Sequence, residues 1–391
     1  MVEYPMDWEI VKIDDIFHVS AGGDVKRQYF SEYRTLQFPY EICSNGIENR
    51  GVYGYTSYPV YEGNSLTVTA RGTIGQAYYR ENPFDAIIRL LVLLPKSDDV
   101  KPKFYEYFIN RYVQFERENT GVPQLTAPKI KVKNVPFPSG KEQMRIVNAL
   151  EKFDTHIENL TALIEKKKAI RDGALADLMS GRTRLEGFSG EWEEVSFNQV
   201  ITPKARIGWQ GLKKYEYLPT GYSYLIGGTD FLNGSISLDN ISYVSQERYD
   251  MDENIQVSAD DVLVTKDGTI GKVAIVPKLE KPATLNSGVF VFRTNDRLLP
   301  RFLYRVLSSF VFKDFIDTLS AGSTIKHLYQ KDLKNFVFRI PDDVEEQKAI
   351  ADILTSMDTE IQNLETERDK FMQIREGAMD DLLTGRVRLP M

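Results

Sequence analysis

Residues Gly268 to Val273 form the most suggestive string for chemistry in this sequence, Gly-Thr-Ile-Gly-Lys-Val. It superficially resembles a loop that cradles phosphate. A phosphate-binding loop of this kind has four residues between its glycines and a Ser or Thr after the lysine to ligate magnesium. Both features are missing, so the string is interpreted as a tight turn.

A second group has the residue types of a metal-dependent nuclease site: Asp342, Glu346 and Lys348. A nuclease site of that type takes its aspartate and its Glu-x-Lys pair from separate strands. Here the acidic residues lie close together at the entrance of a predicted helix, where the helix dipole favours negative charge. We therefore interpret Glu346 as a first-turn residue of a helix.

Other catalytic patterns are incomplete. Asn82-Pro83-Phe84 is similar to the Asn-Pro-Pro-Phe loop of amino-methyltransferases, but it lacks one proline and no glycine-rich cofactor motif precedes it. The three histidines are far apart, and Cys43 is the only cysteine, so no metal-ligand spacing appears. No Ser/His/Asp set or Gly-x-Ser-x-Gly elbow is found. The sequence predicts a binding protein rather than an enzyme, with no metal or cofactor of its own.

The element that must position any binding residues is a long segment that occurs twice. Residues 142–185 and 346–389 agree at 20 of 44 positions. The apolar residues step by four and three along each copy, as in a coiled-coil seam. The predicted seam residues are Ile146, Leu150, Phe153, Ile157, Leu160, Ile164, Ile350, Leu354, Met357, Ile361, Leu364 and Phe371.

Each copy has readable ends. Prolines precede both copies, and Gly181 and Gly385 are C-cap candidates followed by arginines. About 38 helical residues at about 1.5 Å each give a rod of about 57 Å. A narrow seam needs a partner, and the partner expected for each helix is the other copy.

The segments before the two helices are similar to each other. Each opens with an acidic residue and Trp8 or Trp192, and each contains a Gly-Thr-Ile-Gly turn between strand-like runs. Further strands are predicted at 87–94 and 288–293, followed by helices that begin at Pro102 and Pro300. The predicted domains are 1–140 (globular), 141–185 (helix), 186–341 (globular) and 342–391 (helix). This alternation predicts an α+β chain with pseudo-twofold symmetry.

Charge and hydropathy limit the class of protein. The net charge of −7 at first argues against nucleic acid as a partner, but the last 50 residues hold 13 acidic and only 6 basic side chains. The two globular segments are near neutral, and each could present a basic face. No signal peptide or membrane-spanning run is found. A soluble cytoplasmic protein is expected.

Together these features resemble the DNA specificity subunit of type I restriction-modification systems. The resemblance rests on the order and duplication of the Glu-Gln helix opening, the Gly-Arg close and the Asp-Gly-Thr-Ile-Gly turn. It implies two target recognition domains, separated by two antiparallel coiled-coil helices, that each read half of a split DNA sequence. It also implies methyltransferase and translocating endonuclease subunits as partners, with catalysis and S-adenosylmethionine binding in those partners.

Within such domains we expect loops to present the side chains that read bases. Arg and Gln can make bidentate contacts to guanine and adenine, respectively. The candidates are Arg71, Thr73, Gln124 and Thr126 in the first domain, and Lys266, Thr269, Ser323, Thr324 and Lys326 in the second. Each is as readily an ordinary solvated loop residue.

Arg171 and Arg375 occupy equivalent positions on the extended seam. They could pair with acids across the coil or reach a partner subunit, and a local ion pair is the simpler expectation. Two other functions stay open for the whole chain: a stand-alone DNA-binding protein, and an interaction scaffold that uses the acidic second helix and never touches DNA.

Overall fold

The computed structural model describes residues 4–115, 124–320 and 327–390. The chain forms two compact units, Met1–Thr161 with Thr366–Met391, and Ala162–Glu365. Each unit combines one globular domain with part of each long helix. The fold is mixed helix and sheet, as predicted.

The first globular domain contains two four-stranded sheets, ordered β2-β9-β6-β7 and β3-β5-β4-β8, and the pair β1-β10. The strands are β1 (Glu9–Lys12), β2 (Phe17–Ala21), β3 (Phe30–Ser31), β4 (Tyr40–Cys43), β5 (Val52–Thr56), β6 (Ser65–Val68), β7 (Ala77–Arg80), β8 (Phe84–Ala86), β9 (Leu91–Pro95) and β10 (Asn134–Phe137). The helices are α1 (Ile13–Ile16), α2 (Pro102–Tyr112) and α3 (Ala127–Lys131), and the long helix α4 (Gly140–Met179) follows.

The second globular domain repeats this plan with variations. Its sheets are ordered β12-β21-β18-β19 and β16-β13-β20-β17, with the pairs β11-β22 and β14-β15. The strands are β11 (Trp192–Ser196), β12 (Ile201–Ala205), β13 (Ser223–Ile226), β14 (Phe231–Leu232), β15 (Ser235–Ile236), β16 (Ser242–Val244), β17 (Gln256–Val257), β18 (Val262–Thr265), β19 (Val273–Ile275), β20 (Ala283–Leu285), β21 (Val289–Thr294) and β22 (Val337–Pro341). The helices are α5 (Phe197–Val200), α6 (Gln246–Asp250), α7 (Pro300–Leu307), α8 (Phe310–Ser320) and α9 (Gln330–Leu333), and the long helix α10 (Val344–Leu383) follows.

The strand prediction for 87–94 was partly wrong. β9 begins only at Leu91, because residues 87–90 form a turn in which Ile88 and Arg89 have φ values of 53° and 62°. Continuous apolar character predicted an extended strand and could not reveal this reversal. The corresponding prediction for 288–293 is confirmed by β21.

Both long helices span 40 residues and end two residues before the expected glycines. Gly181 and Gly385 have φ values of 68° and 72°, and the Gly181 N–H donates to the Leu178 carbonyl over 3.1 Å. A left-handed residue just past the helix is what favours glycine there. The sequence therefore determined where each helix stops.

The long helices run in opposite directions where they meet within each unit. In the first unit, Asp154 contacts Arg375 over 2.5 Å, and Glu142, earlier on α4, contacts Arg388, which follows α10. In the second unit, Arg171 contacts Asp358 over 2.6 Å. Since 154 and 358, like 171 and 375, are equivalent in the repeat, the same ion pair is made twice. Each arginine also contacts its neighbour on the same helix, Asp172 or Glu376.

The predicted seam residues differ in how deeply they are buried and in what surrounds them. Ile146 and Leu150 are buried in the core of the first globular domain, and Ile350 and Leu354 are buried in that of the second. Leu160, Ile164 and Ile361 are also buried, whereas Phe153, Ile157, Met357, Leu364 and Phe371 are only partly buried. At the start of each helix the partner is therefore a globular domain as well as the other helix.

The Glu-Gln pair that opens α4 attaches the helix to its domain. The Glu142 carboxylate accepts a hydrogen bond from the Trp8 indole over 3.2 Å and contacts the Arg388 guanidinium over 2.8 Å. The buried Gln143 amide accepts from the Lys101 N–H over 2.8 Å and donates to the carbonyls of Asp99 and Pro138 over 3.1 and 2.7 Å.

The Glu-Gln pair of α10 makes the corresponding contacts. Glu346 accepts from Trp192 over 3.4 Å and from Arg184 over 2.7 and 2.8 Å. Gln347 accepts from the Leu299 N–H over 2.9 Å and donates to the carbonyls of Arg297 and Pro341. The Glu-Gln pair therefore has the same structural role in both copies.

Within the described ranges, no helix is both long enough and apolar enough to cross a membrane.

Replacing Gln143 by Leu should lower the free energy of unfolding by about 2–4 kcal/mol, because three backbone groups in partly or fully buried hydrogen bonds lose their partner. Gln347→Leu should cost a similar amount, since Gln347 makes the equivalent contacts. Chemical denaturation of the full chain measures both. Met144→Leu, at an exposed neighbouring position, is the control and should change stability little; an equally small loss for Gln143→Leu would contradict the assigned role.

Candidate nucleic-acid interface

The Gly-Thr-Ile-Gly turn of the first domain connects β6 to β7. Gly72 and Gly75 have φ values of 69° and 90°, and the Gly75 N–H donates to the Thr69 carbonyl over 2.8 Å. The buried Thr69 hydroxyl accepts from the Gln76 N–H over 2.9 Å and donates to the Thr73 carbonyl. These bonds fix the backbone and leave the side chains of Arg71 and Thr73 exposed.

The second domain builds the same turn between β18 and β19. Gly268 and Gly271 have φ values of 72° and 79°, and the Thr265 hydroxyl donates to the Thr269 carbonyl over 2.5 Å. Thr269 is exposed. The two buried threonines were not predicted, although a signal was present: Val-Thr precedes the turn by the same spacing in both domains.

The terminal loop of each domain lies against the glycine turn. In the first domain Arg71 and Gln124 form an antiparallel bridge, and the Leu125 N–H donates to the Ala70 carbonyl over 2.9 Å. Two candidates that are 53 positions apart in sequence are therefore neighbours. Thr126 is exposed at the N-cap position of α3, and its side chain makes no capping bond.

In the second domain the same bridge joins Asp267 to His327, and the Leu328 N–H donates to the Lys266 carbonyl over 2.8 Å. Ser323, Thr324 and Lys326 lie outside the described residues. Lys266 is less available for contact with DNA than expected. Its ammonium lies 3.5 Å from the Asp267 carboxylate and 5.9 Å from the centre of the Phe290 ring.

His327 is a candidate that sequence reasoning missed. It occupies the bridge position that Gln124 has in the first domain, and its Nδ1 lies 2.5 Å from the Asp267 carboxylate. Its side chain is about half exposed. The signal in the sequence is that both residues precede a leucine, in Gln124-Leu125 and His327-Leu328.

A third loop completes the cluster in the first domain. The Asn45 side chain accepts from the Ala70 N–H over 2.6 Å and donates to the Ile88 carbonyl over 2.7 Å. One amide thus connects the residue before Arg71 to the residue before Arg89. Loops from three parts of the chain meet at one surface.

The charges at this surface favour a polyanion. Arg71 and Arg89 are exposed. Within the described ranges, neither guanidinium group has a hydrogen-bond or ion-pair partner. By contrast, Arg50 contacts Glu106 over 3.0 Å and Arg80 is buried against Thr67. Unpaired guanidinium groups on loops are suited to phosphate and base contacts.

In the residues that the structure describes, no three His, Cys, Asp or Glu side chains are grouped closely enough to hold a metal ion.

The sequence matches the family described as "Type I restriction modification DNA specificity domain" over residues 5–168 and 191–370. The chain belongs to this family. The type I restriction enzyme MjaVIII specificity subunit of Methanocaldococcus jannaschii is 22% identical over 409 residues, covering 98% of this chain and 94% of that protein.

Solved structures support the fold of this specificity-family chain. The type I restriction-modification S subunit from M. genitalium has a TM-score of 0.67 at 18% identity and covers 100% of this chain and 98% of its own. A chain from a structure concerned with complex assembly and conformational transition of the type I R-M system has a TM-score of 0.57 at 13% identity, covering 98% and 100%.

Replacing Asn45 by Ala should speed hydrogen exchange of the Ala70 amide about ten-fold, because that N–H loses its acceptor. Hydrogen exchange followed by mass spectrometry on the peptides covering residues 65–76 and 84–92 measures the change. The Lys266 amide is an internal control, since in the second domain it donates to the Gly288 carbonyl instead. Asn82→Ala, at an exposed position, is the matched variant; equal effects of the two substitutions would remove Asn45 from its positioning role.

Proposed function

We propose that this chain is the specificity subunit of a type I restriction-modification complex, in which each globular domain reads one half of a bipartite, asymmetric DNA target. The observation that carries the proposal is the duplicated surface of loops, attached through duplicated contacts to two long helices. In both domains the loop backbones are held by internal hydrogen bonds, which leaves side chains such as Arg71 and Thr269 available for DNA.

In this proposal the long helices fix the spacer between the two half-sites. Two equivalent ion pairs between the helices hold their register: Arg375 with Asp154, and Arg171 with Asp358. Each aspartate also contacts its own domain, through Tyr107 over 2.5 Å or through Arg305. A fixed register between the helices implies a fixed number of unspecified base pairs.

The helices would also dock methyltransferase subunits. Ile170 and Ile374 are equivalent in the repeat, and their exposed fractions are 49% and 42%. Met144, Ile353 and Met372 are further exposed apolar residues of the helices. The exposure of isoleucine at both equivalent positions supports this assignment, because contiguous exposed apolar surface marks protein interfaces. Catalysis, S-adenosylmethionine binding and DNA translocation are assigned to the methyltransferase and restriction subunits, and none of them to this chain.

Methylation mapping at base resolution tests this proposal. DNA from cells that express the chain together with its candidate methyltransferase should carry a methylated bipartite motif with a constant spacer, and DNA from cells with either protein alone should not. Sequence-specific footprinting by the chain in the absence of the methyltransferase would favour a stand-alone DNA-binding protein. A stable complex with an active methyltransferase but no motif would favour the scaffold.

The same assay tests the spacer. One heptad would be inserted into each long helix, between Thr161 and Ala162 and between Glu365 and Thr366, so that the antiparallel register is retained. The added length is about 10 Å, which corresponds to at most about three base pairs. The motif should keep both half-sites and acquire a longer spacer. An unchanged spacer would show that the helices do not set it.

Arg71→Ala should relax the motif at one half-site and leave the other intact, because a base contact carries sequence information. The methylation map of the variant measures this. A uniform loss of methylation at all sites would instead identify Arg71 as a phosphate contact. Thr269→Ala in the second domain is the comparison variant, and any change it causes should fall in the opposite half-site.

A further inference from the structure

The turn between β8 and β9 has a backbone that its sequence does not favour. The Leu90 N–H donates to the Ile87 carbonyl over 3.1 Å, and both residues between them are left-handed, with φ values of 53° at Ile88 and 62° at Arg89. Turns with two left-handed central residues strongly prefer Asn-Gly or Gly-Gly. A β-branched residue such as isoleucine is among the least suited to that conformation.

The surrounding structure holds the turn in place. The Ile88 N–H donates to the Gly23 carbonyl over 2.9 Å, and the Ile88 carbonyl accepts from the Asn45 side chain. Gly22 lies so close that a Cβ there would be 2.5 Å from the Ala86 carbonyl oxygen. The strain is therefore imposed by neighbouring loops, and strain of this kind is concentrated at functional sites.

A left-handed arginine elsewhere in the domain shows what a structural role looks like. Arg50 has a φ of 53°, but its guanidinium donates to the Tyr79 carbonyl over 2.8 Å and to the Glu106 carboxylate over 3.0 Å. Those contacts explain why arginine is present there. Arg89 makes no such contact in the part of the chain that the structure describes, and 47% of the Ile88 surface is exposed.

The second domain has a different solution at the same place. Its turn before β21 contains Ser287 and Gly288, neither of which is left-handed, and is closed by the Val289 N–H and the Asn286 carbonyl over 3.4 Å. A relaxed turn with small residues is therefore compatible with the fold. Of the two domains, only the first has a strained turn with large side chains at this place.

We propose that Ile88 and Arg89 form a base-reading element of the first domain, adjacent to Arg71 through the Asn45 bridge. The guanidinium of Arg89, which has no partner among the described residues, is suited to the O6 and N7 acceptors of guanine in the major groove. Ile88 is suited to the methyl group of thymine. This proposal rests on the proposed function and adds a reading element that the sequence alone had assigned to a strand.

The decisive variant combines Ile88→Asn with Arg89→Gly. Asn-Gly is the preferred pair for this turn, so the backbone is retained and the strain is relieved. The full chain and the variant would each select duplexes from a random-sequence DNA pool, in the presence of the methyltransferase subunit. The variant should have an unchanged or higher thermal unfolding midpoint. Its affinity for the duplex selected by the parent should fall about ten-fold or more, since one bidentate base contact and its neighbour are lost.

Sequence information should disappear at one or two positions of a single half-site. Affinity for a duplex in which that half-site is scrambled should stay the same. Arg89→Lys should retain binding to scrambled DNA but weaken the preference for guanine, because lysine lacks the rigid, planar fork of donors that the guanidinium presents. Ser287→Asn, which introduces the same Asn-Gly pair into the second domain, should leave that half-site unchanged.

Two results would overturn the proposal separately from the proposed function. If the parent selects a bipartite motif and the double variant selects the same motif with equal affinity, the turn is only structural. If the double variant loses affinity equally for selected and scrambled duplexes, the turn contacts phosphate and does not read bases. A parent that selects no motif would overturn the proposed function and this inference with it.

Discussion

The attachment of each long helix to a globular domain depends on one buried carboxylate at the helix start. Glu142 and Glu346 are almost completely buried, and each is satisfied by a tryptophan indole and an arginine that follows the other helix. A buried carboxylate without partners would be strongly unfavourable. The three groups therefore have to meet, which ties together the domain, its own helix and the end of the other helix. The neighbouring glutamine fixes the loop before the domain helix in the same way.

In the loops, the side chains that support the backbone are different from the side chains that are exposed on the surface. Thr69 and Thr265 satisfy the backbone of each glycine turn from inside, and Asn45 ties two loops of the first domain together. Because the backbone needs no help from the outward-pointing side chains, those side chains can differ between the domains. Arg71 and Gln124 occupy positions that Asp267 and His327 occupy in the second domain. One scaffold can thus present two different loop surfaces, which the proposed reading of a split asymmetric target requires.

The similarity between the two halves also makes their differences informative. The turn at Ile88 and Arg89 has a relaxed counterpart at Ser287 and Gly288, and the hairpin β14-β15 is an addition of the second domain. The sheet that contains β4 and β8 in the first domain corresponds to the sheet that contains β13 and β20 in the second. Its fourth strand is β3 in the first domain and β17 in the second. Gln143 and Gln347, which agree between the copies, each satisfy three backbone groups. Other differences, such as Arg71 against Asp267 and Gln124 against His327, lie on loops.

The sequence by itself determined the two long helices, their glycine ends and the duplicated glycine turns. These features depend on local rules: apolar spacing along a helix, and the freedom of glycine to adopt positive φ. Only the tertiary structure decided that Arg71 lies beside Gln124, that Asp267 lies beside His327, and that Ile88 and Arg89 form a turn. Each of these depends on hydrogen bonds between segments far apart in the chain. Such bonds override local preference, and no pattern within one segment records them.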